Sequence, residues 1–418
     1  MSKKGEKEWW KRQDILCKEW EDKLWEWQTI SSIQWNSRGN LSADLDEFRM
    51  SDYEKIKNAR QFEITNMCKD CIEDYINDYF SKLPKSESTE ILKKEMLYMY
   101  KRRFNKNVWL RPFVVSTVAD YFAKKDISKD VILAITAAEV FNISTYQTNL
   151  LFDDKINDSN ISWINQVSVS MISMSIANKM IQDLNCEPWK KLELLNLLNK
   201  NNWEVYVWQN IDLNTLLIKN ADRILNMWET EYLKEYRERC DYMWWTTVEN
   251  CAAWWYILWS ESIDTEKLDK LKLLFRKWWW IMQKINDLSD FVVFSGENKD
   301  LARYTDVRAW KVTLPFYYIL KSLNEEERQE CLDNIKNWDK WYLDSFFQKY
   351  LYKNSDVIKK VLAVIMEEWD ECKKLIKDLW LEAKHFQFMY NNIFFTKFTR
   401  EFFDRKLLKE VKKDLKKR

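Results

Sequence analysis

Two clusters of oxygen donors carry the most chemical content in this chain. The first is "NLLFDDKINDSN", where Asp153 and Asp154 close an apolar run and Asp158 follows four residues after Asp154. The second is "MQKINDLSDF", where Asn286 and Asp290 are four apart, Asp287 lies between them and Gln283 sits one turn earlier. Residues four apart share a face of an α-helix, so each cluster sets carboxylates and amides side by side. Carboxylates held that close repel unless cations neutralise them. Oxygen-only donor sets suit Mg²⁺, which keeps part of its coordination shell for water and substrate phosphates. Two such clusters on separate helices, facing one cavity, would hold a diphosphate through bridging magnesium ions. One cluster alone reads equally well as a solvated acidic helix end.

Other chemistries have little to work with. The chain has a single histidine, His385, which argues against a histidine-based triad or a histidine-ligated metal. Its 8 cysteines are scattered, and the one Cys-x-x-Cys, Cys68 and Cys71, has no second pair at zinc spacing. Net charge is +1 with 32% charged residues, so neither nucleic acid nor an anionic membrane is indicated as a partner. No apolar run reaches the length of a membrane span, and the start "MSKKGEKEWWKRQ" has no signal-type apolar stretch. A soluble cytoplasmic protein is expected.

The elements that must position the clusters are helices. Segments such as "ILKKEMLYMYKRRF" and "VLAVIMEEWDECKKLIKDLW" place apolar residues three and four apart, and alternating strand patterns are scarce. The pattern predicts an all-α protein. Residues 1–88 form a charged N-terminal helical extension ending near "SKLPKSEST", with Ser86, Ser88 and Thr89 as candidate helix caps. Residues 89–418 show no Pro/Ser-rich linker and read as one domain.

Four segments in order resemble the trans-type isoprenyl diphosphate synthases, the polyprenyl synthetase family. "FNKNVWLRPFVV" matches that family's Gly-Gly-Lys-x-x-Arg-Pro segment at Arg111 and Pro112. "NLLFDDKIND" takes the first aspartate-rich position, and "VWQNIDLN" matches Gly-Gln-x-x-Asp-Leu at Gln209 and Asp212. "MQKINDLSDF" takes the second acidic position, followed by Asp306, Lys311, Thr313, Leu314 and Pro315 in the family's Asp-x-x-x-Gly-Lys-x-Thr-Leu-Pro order.

The resemblance implies an isoprenoid-synthase helical bundle around a central cavity and a Mg²⁺-dependent prenyltransferase. It would condense an allylic diphosphate with isopentenyl diphosphate, and a homodimer is expected. Asp153, Asp154, Asp158, Asp287 and Asp290 would be the metal ligands. Asp153, Asp154, Asp287 and Lys311 would carry the catalysis. Arg111, Gln209, Thr247, Gln283 and Lys311 would contact substrate. Thr148 and Asn149, just before the first motif, are not bulky aromatic plugs, which implies products of geranylgeranyl length or longer.

Several departures keep other readings open. The family's lysine before Arg111 falls at Val108, and the arginine pair expected after the first motif reads near "ISW". The lysine of a Lys-Thr motif is not evident beside Thr246 or Thr247, and Asn286 occupies a usual aspartate position. Lost cations weaken diphosphate binding, because charge-assisted bonds are the strong ones. An inactive or regulatory synthase-like subunit therefore stays open, as do a terpene cyclase of the same fold and a prenyl donor acting on a peptide. For the cyclase pattern Asn-Asp-x-x-Ser-x-x-x-Glu, Asp290 stands at the serine and Phe294 at the glutamate. A helical interaction protein with merely acidic patches fits the four ordered segments least.

Tryptophan usage adds a separate expectation. At an average near 7%, a chain of this length should hold roughly 29 glycines. It has 3 glycines and 25 tryptophans, which together nearly meet that figure. Trp208 and Trp310 stand at family glycines, Trp278 to Trp280 include a helix-packing glycine position, and Trp369 and the stretch "YMWWTTVENCAAWWYILWS" repeat the pattern. Two readings follow: genuine tryptophans in a diverged helical protein or, favoured by the family glycines, UGA codons written here as Trp where the source reads Gly.

Overall fold

A computed structural model describes residues 52–104, 129–152, 163–212, 215–242, 245–291, 304–337, 340–351, 355–379, 410–411 and 413–415. In chain order its principal helices are α1 (Asp52–Ser81), α2 (Glu87–Phe104), α3 (Lys129–Phe152), α4 (Trp163–Gln182), α5 (Pro188–Asp212), α6 (Ala221–Asn226) and α7 (Glu229–Tyr242). There follow α8 (Trp245–Trp259), α9 (Thr265–Ser289), α10 (Thr305–Arg308), α11 (Leu314–Ser322), α12 (Glu325–Asn337), α13 (Lys340–Tyr350) and α14 (Asp356–Asp378). Among the described residues every regular element is helical, and the one β-type pairing is an isolated antiparallel bridge, Leu217 with Lys311. The all-α expectation holds.

The helix starts follow capping chemistry. Ser86 Oγ accepts the Thr89 N–H at 3.2 Å while Thr89 Oγ1 accepts the Ser86 N–H at 3.0 Å, so Ser86 is the cap of α2. Asn324 and Glu327 make the same reciprocal pair at α12, at 2.8 and 3.1 Å. Asp264 caps α9 through the Lys267 N–H, and Ser355 caps α14 through the Ile358 N–H. At α7 the residue in the cap position is Trp228. Its N–H is satisfied by Glu231 Oε2 at 3.0 Å, but its indole has no oxygen to return, and it stands 78% exposed.

The chain divides into two compact units. One takes 51–215 and 233–279, and so holds α1 to α5, α7 from Leu233, α8, and α9 through Trp279. Its centre is α3, where every residue from Val131 to Thr145 is buried. A helix covered on all sides needs no amphipathic stripe. Small hydroxyls let α4 lie along it: Ser144 and Ser170 bond at 3.0 Å, and Thr148 Oγ1 meets Ser170 Oγ at 2.9 Å. α1 contributes Cys68, Ile72 and Ile76, all fully buried, and packs on α3 and α2.

The described part of the other unit takes 216–232 and everything from Trp280 on. Its core is α11, whose residues Leu314 to Leu320 are all buried, packed on the apolar stripe of α14 that includes Val357, Val361, Leu362, Ile365 and Trp369. Pro315 sits in the first turn of α11, where a missing N–H costs the helix nothing.

Candidate functional site

The second acidic cluster sits at the C-terminal end of α9, within the unit built on α11 and α14. α9 ends at Ser289, yet the Asp290 N–H still bonds to Asn286 O at 3.2 Å, so Asp290 keeps helical register one residue past the end. Asp287 is fully buried. Gln283, also buried, donates Nε2–H to Asp287 Oδ1 at 2.7 Å, the four-residue pairing expected from the spacing. Asn286 points to solvent. One turn of helix thus shows an oriented carboxylate, a half-buried carboxylate at Asp290 and an amide.

The same helix is anchored from below by a charge pair. Lys284 and Glu368, on α9 and α14, meet at 2.7 Å with side chains 0% and 1% exposed, and Lys284 Nζ also donates to Trp280 O at 3.2 Å. Neither charge was legible as a pair, since the partners lie 84 residues apart and nothing local links them.

Lys311 arrives on a tight loop. The Tyr304 N–H bonds to Asp290 O at 3.0 Å, and the Asp306 N–H bonds to the Asp290 carboxylate at 3.0 Å. The Lys311 N–H bonds to Asp306 O at 2.8 Å, and Lys311 pairs across to Leu217, with Ile218 N–H on Trp310 O and Val312 N–H on Leu216 O. Lys311 is 3% exposed. Thr313 follows it at the cap position of α11, fully buried, and among the described residues its hydroxyl has no hydrogen-bond partner and caps nothing. An orphaned buried hydroxyl costs about 1–3 kcal/mol. A lysine and an unsatisfied hydroxyl two residues apart suit an anionic oxygen ligand.

Backbone strain gathers at this loop. Leu216, Tyr304 and Trp310 have φ of 46, 59 and 57°, the left-handed region that bulky side chains avoid. Tyr304 is held there by burial, by its hydroxyl on Asp344 at 2.8 Å and by Phe291 and Phe347 around its ring. Trp310 is 42% exposed. It is one of the positions where the sequence predicts glycine, and its backbone has the conformation glycine adopts without cost. Elsewhere Trp278 is fully buried against Phe275, and among the described residues the buried indole N–H groups of Trp254 and Trp279 find no acceptor.

Among the described residues no three His, Cys, Asp or Glu side chains come together as a metal site; Asp287 and Asp290 offer carboxylate oxygens of the kind a hard divalent cation takes. Arg111, Asp153, Asp154 and Asp158 lie outside the described residues. Gln209 and Asp212 fall in the last turn of α5 and Thr247 on α8, in the unit built on α3, and only their backbone is described. Of the residues expected at the site, the structure therefore brings together Gln283 with Asp287, and Asp290 with Lys311 through Asp306. Sequence reasoning missed Tyr304, Lys284 and Glu368.

No protein-family model matches the sequence, and no curated protein matches it. Solved structures do. The geranylgeranyl pyrophosphate synthetase of Pyrococcus horikoshii Ot3 superposes with a TM-score of 0.57 at 16% identity, covering 82% of this chain and 99% of that one. The heptaprenyl diphosphate synthase of Staphylococcus aureus gives 0.53 at 14%, covering 80% and 97%. The geranylgeranyl pyrophosphate synthase of Corynebacterium glutamicum, complexed with calcium and isoprenyl diphosphate, gives 0.50 at 15%, covering 85% and 97%. At such identities the likeness establishes the fold, which is the all-α isoprenoid-synthase fold.

Proposed function

We propose that this chain, with the fold of isoprenyl diphosphate synthases, is itself a prenyltransferase of that family. It joins an allylic diphosphate to isopentenyl diphosphate in a Mg²⁺-dependent reaction. The observation that carries the reading is the turn Gln283–Asp287–Asp290 set beside a buried Lys311 and the orphaned Thr313 hydroxyl. Acidic oxygens and a lysine on one short stretch of structure suit a metal-bridged diphosphate.

Asp287 and Asp290, with Asp153, Asp154 and Asp158, would hold the metal. When bound, Mg²⁺ supplies Lewis-acid neutralisation of the departing diphosphate. Gln283 orients the Asp287 carboxylate by its hydrogen bond. Lys311 places a positive charge where negative charge develops on the leaving group. Arg111 would hold the diphosphate of isopentenyl diphosphate, with Gln209 and Thr247 contacting substrate. The reaction ends in proton loss, and the single histidine leaves that step to another acceptor. Residues 1–88 stand, in this reading, as an extension to a catalytic domain at 89–418.

Incubation of purified protein with Mg²⁺, isopentenyl diphosphate and geranyl or farnesyl diphosphate tests the proposal by product mass. Asp287→Ala should lower turnover by about 100-fold or more. Products that form unchanged in that variant would overturn the site. Absent turnover with intact binding of inorganic pyrophosphate would instead favour the regulatory-subunit reading, which the missing cations near Val108 and after Asp158 motivate.

A homodimer is part of the same proposal. From Trp163 to Asn178 α4 carries no charged residue in a chain that is 32% charged, and Ile164, Val167 and Met171 are exposed along it. A neutral apolar face can pair with its own copy without like-charge repulsion. Sedimentation of Met171→Lys against the unaltered protein tests this: a dimer that survives the lysine would exclude that face. No helix among the described residues is long and apolar enough to cross a membrane.

A further inference from the structure

Asp290 and Lys311 are 21 positions apart in sequence numbering, yet two hydrogen bonds join them through one residue. The Asp290 carboxylate accepts the Asp306 N–H at 3.0 Å, and the Asp306 carbonyl accepts the Lys311 N–H at 2.8 Å. The main chain of Asp290 adds a third tie, accepting the Tyr304 N–H at 3.0 Å. Asp290 therefore grips the start of the loop by both its backbone and its side chain. The far end is gripped by the bridge to residues 216–218.

The loop needs this restraint. Among the described residues it contains two of the three left-handed non-glycine residues, Tyr304 and Trp310, and Leu216 opposite is the third. Such conformations cost about 1–3 kcal/mol each and persist where the surroundings over-determine them. α10, the helix inside the loop, has four residues, too few to be stable alone. The carboxylate at its first turn supplies an acceptor for an N–H that the short helix cannot satisfy itself, and negative charge there is favourable. Without it, little local structure would oppose relaxation of the strained backbone that carries Lys311.

We propose that Asp290, beyond any part in holding a metal, is a positioning residue for Lys311, acting through Asp306 by its side-chain hydrogen bond. This deepens the reading of Lys311 as a diphosphate-binding residue and rests on it. It also separates two aspartates that look equivalent in sequence. Asp287 is buried and oriented by Gln283, as a ligand should be. Asp290 spends an oxygen on the loop. Any ligand drawn to the remaining lone pairs of Asp290 would then be mechanically linked to the lysine.

The test separates acceptor from charge. Asp290→Asn keeps an oxygen that can accept the Asp306 N–H, whereas Asp290→Ala removes it. Lysine acetylation under limiting reagent, read residue by residue by mass spectrometry on the full chain, reports where Lys311 sits without requiring any ligand. Lys311 should be protected in the unaltered protein and in Asp290→Asn, and labelled about tenfold faster in Asp290→Ala. Lys284, buried against Glu368, must stay protected throughout, which shows that the variants are folded. Binding of inorganic pyrophosphate with Mg²⁺ supplies the second arm. Both variants lose a charged metal ligand, so the relay is read as the difference between them: Asp290→Ala should bind about tenfold more weakly than Asp290→Asn. In a Lys311→Gln background the two should bind alike, because the residue that the loop positions is gone. Unchanged labelling of Lys311 in Asp290→Ala, or a gap between the alanine and asparagine variants that persists without Lys311, would overturn the positioning role. Expected labelling with no pyrophosphate binding by the unaltered protein would overturn the diphosphate reading of the site and leave the relay standing.

Discussion

Trp310 gives the sharpest test of how this chain is built, because its backbone and its side chain ask for different residues. Its φ of 57° is left-handed, and 42% of it is exposed. Replacement by glycine alone would mix relief of strain with loss of the indole's packing. Comparing Trp310→Gly with Trp310→Ala removes that confusion, since both delete the indole. At an ordinary position alanine is ahead by about 0.5–1 kcal/mol, because glycine loses more backbone freedom on folding. At this position the Cβ of alanine costs about 1–2 kcal/mol. The difference leaves glycine ahead by about 0.5–1 kcal/mol. In urea, with a slope of about 2–3 kcal/mol per M, the midpoint of the glycine variant should lie about 0.3 M higher. Trp203, exposed in the interior of α5, supplies the control: there alanine should lead by about 1 kcal/mol. Trp310→Ala matching or exceeding Trp310→Gly would refute the reasoning. The codon question has its own readout. A native peptide covering position 310 should have the mass of glycine, and a UGG codon there would end the reassignment idea.

Two further outcomes are expected. Burial raises the Glu249 carboxyl from 4.5 to about 7, against the opposing pull of Arg276, which contacts it at 3.0 Å. The folded state then keeps a proton that the unfolded chain loses, so stability should fall as pH rises from 4.5 to about 7, by about 3 kcal/mol at most, and level off above. Urea midpoints across that range should slope less in Glu249→Gln, and identical slopes would exclude Glu249 as the cause. Glu368→Ala should cost about 3–5 kcal/mol by stranding the Lys284 charge, whereas Lys284→Met with Glu368→Leu should recover most of the loss. Equal losses in the two proteins would show that the pair matters by its shape and not by its charge.

The fold was legible because helical signals are local. Apolar spacing, scarce glycine and proline, and a cap such as Ser86 each act within one or two turns, and the helices and that cap reappear in the structure. The Gln283–Asp287 contact was legible for the same reason, being a four-residue pair on one helix. Trp310 was marked by composition and by the family's glycine, and its backbone angle gives that mark a physical cause. What sequence did not reveal is long-range. The Leu217–Lys311 bridge, the Tyr304 hydroxyl on Asp344 and the Lys284–Glu368 pair join residues with no periodic relation. The placement of Asp290 against Asp306 belongs here too. Spacing put Asp290 on the right face, but only the returning loop shows what its carboxylate holds.

The burial of Leu314 to Leu320 in α11 has a consequence for the order of events on the ribosome. Nine residues, of which the first seven, Leu314 to Leu320, are apolar or aromatic and buried once folded, form a helix too short to be stable alone. Its main cover, α14, is translated only later, and the segment must wait until Asp378 has been made. At roughly 5–20 residues per second that is an interval of several seconds. During it, "LPFYYIL" is an exposed sticky stretch of seven residues without a charge of its own. The chain's yield during synthesis should therefore depend on a holding chaperone, or on translation fast enough through α14 to close over it.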